Sequence, residues 1–342
     1  MIDPNCRVVV AIPTLLGGPR LHACLTALDR QTWRDFEVIV IDNSRGESRA
    51  EIPPSGNFRF RLRVLRPEAN LGYGSAINLA VAHSASPLVA ALNDDTEPSP
   101  EWIGELVCEI DSDWRVGMCA SQIVLMWSGA MDSAGMNICL DGSSKQRGER
   151  MSPDAFSTSG DVLFPSGCAA LYRRQMLEEI GSFDGDFFLY CEDTDLGLRA
   201  AWAGWRCRYA AAARVWHHYS ASAGPSSQLK ATCVERNRLR VAIKNFPPVL
   251  LLLLPVISAA RYFWQWLQLL DGRGAAVRFV RTDATLRTAL FIVAKAHFDA
   301  LREMPVLLRK RTSIRKTRRI GSRAFIKLIL QHRITVRDLA RA

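Results

Sequence analysis

The stretch RVVVAIPT, residues 7–14, decides the fold. It is a β-branched run without alternation, which suits a strand buried on both faces of a parallel sheet, and Pro13 ends it. A loop follows to Pro19, and then Leu21, Cys24, Leu25 and Leu28 recur at helical spacing. A second uninterrupted run, FEVIVI at 36–41, closes on Asp42-Asn43-Ser44. Phe60–Arg66 alternates apolar and basic residues, as an outer strand does. Gly74–His83 reads as a helix and Leu88–Leu92 as a fourth strand. Strands alternating with helices predict an α/β fold with a doubly wound, mostly parallel sheet.

In such sheets ligands bind beyond the carboxyl ends of the strands. Thr14 follows the first strand, Asp42 and Asn43 the second, and Asn93-Asp94-Asp95-Thr96 the fourth. Each alone reads as a turn former; together on one edge they read as a site. Gly72-Tyr73-Gly74 lacks the third glycine of a dinucleotide fingerprint, and no G-x-x-x-x-G-K-[ST] occurs. Hydride transfer and P-loop ATP hydrolysis are therefore disfavoured. Phosphates bound here need a metal or basic side chains to balance them. Asp94-Asp95 offers the oxygen ligands that Mg²⁺ or Mn²⁺ prefers, leaving coordination positions for a diphosphate and water.

Residues 187–199, FFLYCEDTDLGLR, put three carboxylates (Glu192, Asp193, Asp195) between an aromatic approach and a helical pattern. Capping and the helix dipole account for one or two of them. A carboxylate at the edge of a core also gains a raised pKa and serves as a general base. Residues 127–160, rich in Gly, Ser and charge, read as a mobile loop or insertion near the acceptor side. Pro165–Ala170, with Gly167, is small enough to let a ligand or helix approach the backbone. His217-His218 follows an apparent strand, so one of the pair is a candidate to complete a metal site with Asp95. The plainer reading of each is a core or surface histidine.

The charge is unevenly distributed: residues 1–229 carry 20 Lys+Arg against 28 Asp+Glu, and residues 230–342 carry 24 against 6. The nine cysteines are scattered with no C-x-x-C pair, which predicts small buried residues in a reducing compartment rather than a zinc site or disulfides. No basic leader with an apolar core opens the sequence, so a cytoplasmic catalytic part is expected. Phe246–Ala260 is apolar, but Pro247, Pro248 and Pro255 interrupt it. Extended to Leu270, it places Ser258, Arg261, Gln265 and Gln268 on one stripe. That predicts an amphipathic helix lying in a membrane interface, with Tyr262, Phe263, Trp264 and Trp266 at headgroup level, rather than a span. Packing against the catalytic part is the alternative. A second amphipathic stretch (286–301) and seven basic residues within 309–319 follow. No aromatic stacking pattern accompanies them, which favours anionic lipid over nucleic acid. The expected organisation is a catalytic domain over 1–245 and a basic helical region over 246–342, peripheral on the cytoplasmic face of a membrane.

Seven segments in order then carry a resemblance: VVVAIPT with FEVIVIDNS, RPEANLGYGSAIN, LNDDTEPSPEW, FPSGCAALYRR, IGSFDGDFFLYCEDTDLGLRAAWAGW, VWHHYSASAG and ERNRLRVAIKNFP. From about Val8 to Pro248 the chain resembles the GT-A-fold inverting glycosyltransferases of family 2, above all their rhamnosyltransferase-like branch. The resemblance implies that Thr14, Asp42 and Asn70 line a nucleotide pocket, with Asp42 and Asn43 near the base and ribose. Gly72, Asp94 and Gly167 join the substrate-contacting set. Asp95 corresponds to the metal-binding acid; because the motif reads Asn-Asp-Asp rather than Asp-x-Asp, Asp94 stays open as the alternative. Asp193 corresponds to the general base, with Glu192 second, and His217 to a metal- or diphosphate-contacting histidine. Arg236 and Asn237 correspond to residues flanking the leaving diphosphate or acceptor. The implied cofactor is Mg²⁺ or Mn²⁺. The implied donor is a dTDP-linked deoxysugar or a UDP-hexose, and the acceptor a glycan or lipid-linked hydroxyl. Two rivals share the scaffold. A sugar nucleotidyltransferase needs a Gly- and basic-rich phosphate loop, for which Leu15–Arg20 is a poor substitute. An inactive membrane-bound scaffold would not bind nucleotide sugar in a metal-dependent way.

Overall fold

In the computed structural model, which describes residues 6–44, 49–219, 228–272 and 285–341, the uninterrupted apolar runs become the innermost strands. These are β1 (Val8–Thr14), β2 (Phe36–Asp42) and β4 (Leu88–Leu92), with β3 (Arg61–Leu65) at the edge. Every residue of β2 and β4 is buried, as a strand covered on both faces requires. The crossovers run through α1 (Gly18–Asp29) and α2 (Tyr73–Ala82), and α1 buries the predicted Leu21, Cys24, Leu25 and Leu28. β1 continues through Pro13, beyond the predicted end. Pairing with β4 stops at Ala11, so Pro13 pairs only with Ile41 and occupies a one-sided position that tolerates its missing N–H.

The four strands are parallel in the order β3-β2-β1-β4, so the winding reverses beside β1. β5 (Thr96–Pro98), α3 (Trp102–Asp111) and β6 (Val116–Leu125) follow. Residues 127–160 are not the loop their composition suggests. They form β7 (Met131–Ser133), β8 (Met136–Ile138), β9 (Ser144–Gln146) and the start of β10 (Gly160–Val162). Small polar side chains are accommodated there by hydrogen bonds; the buried Ser133 hydroxyl donates to the Gly135 carbonyl at 2.8 Å. β11 (Ala169–Arg173) runs antiparallel between β4 and β6, then come α4 (Arg174–Ile180) and α5 (Glu192–Trp202). β12 (Arg206–His217) lies parallel to β6 and delivers His217 opposite Leu125. The core packs Val10, Ile12, Leu25, Trp102, Leu106 and Leu171 together, with the Trp102 indole N–H donating to Ser121 at 2.8 Å.

The chain divides into two compact units: residues 1–136 with 146–222, and residues 137–145 with 223–342. α6 (Gln228–Asn245) belongs to the second of these units. That unit continues with α7 (Pro248–Leu270), α8 (Leu286–Arg302), α9 (Met304–Thr317), α10 (Ser322–Gln331) and α11 (Val336–Arg341). Pro248 opens α7, where its lack of an N–H is harmless. The second unit encloses an ionic cluster. Glu235 pairs with Arg238 and Arg261, Arg261 reaches Asp141 at 3.0 Å, and Arg238 donates to Ser258 at 3.2 Å. Burial works against the Glu235 carboxylate, but the two guanidinium groups hold its pKa well below the ordinary range. The Tyr262 hydroxyl bonds Glu235, so this ring is turned inward rather than toward a headgroup layer. Arg311, within the basic run, is buried and donates to the Ile243 and Lys244 carbonyls near the end of α6.

Candidate active site

The carboxyl ends of β1, β2 and β4 bring the predicted polar residues to one edge. The Thr14 hydroxyl accepts from the Gly17 N–H at 2.9 Å and donates to Asp94. Asp42 is buried; Ser44 donates to it and Arg66 lies 3.4 Å away. Asn43 is buried as well. Its amide donates to the Gly72 carbonyl at 3.0 Å, while its own N–H donates to the Thr14 carbonyl at 2.8 Å. Asn70 accepts from the Gly72 N–H at 2.8 Å. The turn before α2 is therefore held from both sides.

That turn in turn fixes the acidic segment. Gly72 has φ +76°, and a Cβ there would lie 2.1 Å from the Phe188 carbonyl oxygen. Glycine is required on both counts. The Tyr73 N–H donates to the same carbonyl at 2.8 Å. Phe188, Tyr190 and Cys191 all have positive φ, a concentration of left-handed, non-glycine backbone just ahead of Glu192. The Tyr73 hydroxyl donates to the Gly167 carbonyl, and the Gly167 N–H donates to Asp193 Oδ2 at 3.0 Å. The small residues at 165–170 are thus where α2 and α5 meet through backbone groups.

The three acids at the start of α5 separate by environment. Asp195 is fully buried and pairs with Arg199 at 2.8 Å, and Arg199 also takes the carbonyls of Ile180, Gly181 and Ser182. It is a structural acid. The N-cap residue of α5 is Cys191, whose side chain makes no capping hydrogen bond. Asp193 is partly exposed and accepts from Gly167, Thr194 N–H and the Thr194 hydroxyl. Burial raises its pKa, and those hydrogen bonds oppose the rise. Glu192 is buried, and its Oε2 has no hydrogen-bond partner among the described residues. Burial first and the Asp193 charge second push its carboxyl up to about 8.

Across the site, Asp94 and Asp95 diverge. Asp94 takes the Thr14 hydroxyl, and burial with the Asp95 charge pushes it up to about 6 despite that bond. Asp95 is buried, with Oδ1 3.4 Å from His217 Nε2. The other ring nitrogen, Nδ1, lies 2.8 Å from Asp132 Oδ2. Burial disfavours the imidazolium, but Cys168, Asp132 and Asp95 outweigh it and hold His217 well above its ordinary pKa. His218 instead pairs with Glu97 at 3.1 Å and is half-buried. Asp132 escaped the sequence reading because it is a single acid inside a stretch that reads as loop. Arg236 and Asn237 lie on α6 in the second unit, where the Asn237 Oδ1 accepts from Arg236 and Arg240.

No group of three or more His, Cys, Asp or Glu side chains among the described residues forms a complete metal cage. A hard divalent ion needs no such cage, because one or two protein ligands suffice when phosphates and water supply the rest. Two ligands of one ion, each about 2.1 Å from it, stand roughly 3 Å apart. The Asp95–His217 separation of 3.4 Å fits that arrangement.

The Glycosyl transferase family 2 profile matches residues 9–181. The chain is 31% identical over 254 residues to an N-acetylglucosaminyl-diphospho-decaprenol L-rhamnosyltransferase of Mycobacterium tuberculosis, covering 65% of this chain and 80% of that one. Among solved structures it is similar to GalNAc-T7 with UDP, GalNAc and Mn²⁺ (TM-score 0.56, 16% identity, 70% of this chain and 48% of that one). It is also similar to the mannosyltransferase PcManGT of Pyrobaculum calidifontis with GDP-Man and Mn²⁺ (TM-score 0.51, 17% identity, 93% and 88%). At these identities the structures speak for the fold alone, which is GT-A. With its switch point at β1, its paired acids after β4 and its acidic helix start on α5, the chain belongs to glycosyltransferase family 2 and is a glycosyltransferase.

Proposed function

We propose that the protein transfers a sugar, with inversion, from a nucleotide-diphosphate donor to a hydroxyl of a glycan or lipid-linked acceptor. The observation that carries this is the Gly167–Asp193 arrangement. Two backbone N–H groups and a hydroxyl orient a partly exposed carboxylate whose pKa burial raises. Asp193 takes the acceptor's O–H proton as its oxygen bonds the anomeric carbon. The bond from that carbon to the diphosphate oxygen breaks, and its electron pair leaves with the nucleotide. Glu192, buried and protonated at neutral pH, is the neighbour that stays neutral rather than the base.

Asp95 and His217 would hold a divalent ion, Mg²⁺ or Mn²⁺, whose charge would offset that developing on the diphosphate. Thr14, Asp42 and Asn70 are assigned to the nucleotide side, with Asp94, which accepts from the Thr14 hydroxyl. Asn43 acts by holding Gly72. Arg236 and Asn237 are assigned to the diphosphate or acceptor on the resemblance alone. The activity named for the mycobacterial relative supports a deoxysugar donor such as dTDP-rhamnose, with UDP-hexoses as the alternative, and a lipid-diphosphate acceptor.

The second unit taken by itself supports a membrane-peripheral location. α7 is, among the described residues, the helix long and apolar enough to cross a membrane. Yet its stripe carrying Ser258 and Arg261 is buried in the ionic cluster. Its exposed residues, among them Leu252, Val256, Phe263 and Trp266, are all apolar. On α8, Leu286, Leu290, Phe298 and Leu301 are exposed in the same helical register, beside exposed Arg287, Lys295 and Arg302. An apolar face with basic flanks suits an anionic bilayer surface, with α7 lying along it.

The test is calorimetric titration of dTDP-rhamnose, UDP-glucose and UDP-galactose with and without Mn²⁺, on wild type and Asp95→Ala. Metal-dependent binding of one donor, lost in the variant, is expected. Failure of all three to bind would favour the inactive scaffold.

A further inference from the structure

A neutral imidazole donates from one ring nitrogen and accepts at the other, so whatever holds one nitrogen decides what the second can do. His217 Nδ1 lies 2.8 Å from Asp132 Oδ2, and its Nε2 faces Asp95. Asp132 reaches this position through an irregularity in its strand. β7 pairs antiparallel with β6 as Ser133 opposite Ile123 and Met131 opposite Val124. Two consecutive residues of β6 therefore face residues two apart on β7, and Asp132 is the extra one. A bulge of this kind re-aims the side chain of the inserted residue. Here it turns a carboxylate into the interior, 3 % exposed, with Oδ1 lacking a hydrogen-bond partner among the described residues. β6 also pairs with β12 up to Leu125 opposite His217, so the bulged strand and the strand of the histidine are both partners of β6.

We propose that Asp132 is the positioning residue of the metal site: its carboxylate accepts a hydrogen bond from His217 Nδ1–H and so fixes the tautomer that presents the Nε2 lone pair beside Asp95. In the 2.8 Å contact Nδ1–H is the donor and Oδ2 the acceptor, which leaves Nε2 as the nitrogen that would give up its proton to an incoming ion. Partners of this kind behind a metal-binding histidine orient the ring, and their loss typically weakens metal binding about 10–100-fold. Asp132 touches neither donor nor acceptor in this assignment. The inference rests on the reading of Asp95 and His217 as the ion's ligands.

The discriminating substitution is Asp132→Asn. It keeps the shape, but its amide can donate to Nδ1 and favour the opposite tautomer. Mn²⁺ affinity in the presence of UDP, read from the electron paramagnetic resonance of free Mn²⁺, is expected to fall about 10–100-fold. The melting temperature should stay within a few degrees of wild type. In the Mg²⁺–UDP form, the ¹⁵N signals of His217, identified by their absence in His217→Gln, should report Nδ1–H in wild type and Nε2–H in the variant. Unchanged Mn²⁺ affinity in Asp132→Asn, with a clear loss in His217→Gln, would overturn the role of Asp132 and leave the metal reading standing. Unchanged affinity in His217→Gln would remove the metal reading and this inference with it. Should Asp132→Asn not fold, the wild-type signals decide alone, and an Nε2-protonated His217 would overturn the proposal.

Discussion

Replacing Glu192 with Gln should make the protein more stable at alkaline pH. Glu192 packs against Gly74 of α2 and faces Asp193, Tyr73 and Tyr172. Its surroundings offer Oε2 no hydrogen bond among the described residues, and its carboxyl is pushed up to about 8 from the ordinary 4.5. Between those two values the folded protein keeps a proton that the unfolded chain has released. The contribution of Glu192 to stability is therefore full below about pH 4.5 and is lost as the pH rises toward 8. At about 1.4 kcal/mol per pH unit the ceiling is about 5 kcal/mol. Titration shared with Asp193 lowers it, leaving roughly 2–4 kcal/mol. Gln has the shape of the protonated acid and cannot ionise. Urea unfolding at pH 5, 6, 7 and 8 should give two curves that nearly coincide at pH 5 and separate by that amount at pH 8. The variant should retain glycosyl transfer, since a neutral neighbour is not the base. Parallel stability curves would refute the neutral Glu192, and an inactive variant would transfer the role of base to it.

Asp193→Asn should lower kcat about 10²–10⁴-fold while leaving donor affinity unchanged, in a nucleotide-release assay. Asp141→Ala leaves Arg261 and Arg238 without one buried carboxylate; urea unfolding should register a loss of about 3–5 kcal/mol. Gly72→Ala forces a Cβ to within 2.1 Å of the Phe188 carbonyl at positive φ. Donor binding by calorimetry should weaken, and stability should fall about 1–3 kcal/mol. The pair Leu252→Glu and Trp266→Glu alters exposed positions only. Binding to vesicles rich in phosphatidylglycerol should drop by about two to three orders of magnitude with the melting temperature unchanged.

Much of the first unit is legible because burial on both faces leaves a local mark. Val8–Ile12 and Phe36–Ile41 cannot alternate, and they do not. The residues that end these strands declare themselves because the sheet delivers them to one edge. Asp132 left no such mark: a bulge is a relation between two strands, and nothing in residues 127–160 names β6 as the partner. Nor does composition distinguish the three acids of α5. Asp195 is structural because Arg199 lies one turn on and also collects the carbonyls at 180–182, contacts that need the tertiary fold. Similarly, Asn43 reads as a turn former until the Gly72 carbonyl is found opposite its amide.

The polar stripe of α7 illustrates the same limit with the sign reversed. An amphipathic pattern gives the angle between two faces but not which of them meets water. An isolated helix would turn Ser258 and Arg261 outward. In the second unit, Asp141 and Glu235, both on other elements, supply two carboxylates to one guanidinium and draw it inside. A buried Arg261 without them would be an unpaired charge, costing several kcal/mol, so the inward orientation depends on both acids. The apolar stripe is then forced outward, where Leu252 is 80 % and Val256 69 % exposed. At roughly 25 cal/mol per Å² such a face is unfavourable in water, and under the proposed peripheral location a lipid surface would cover it and answer the basic residues of α8.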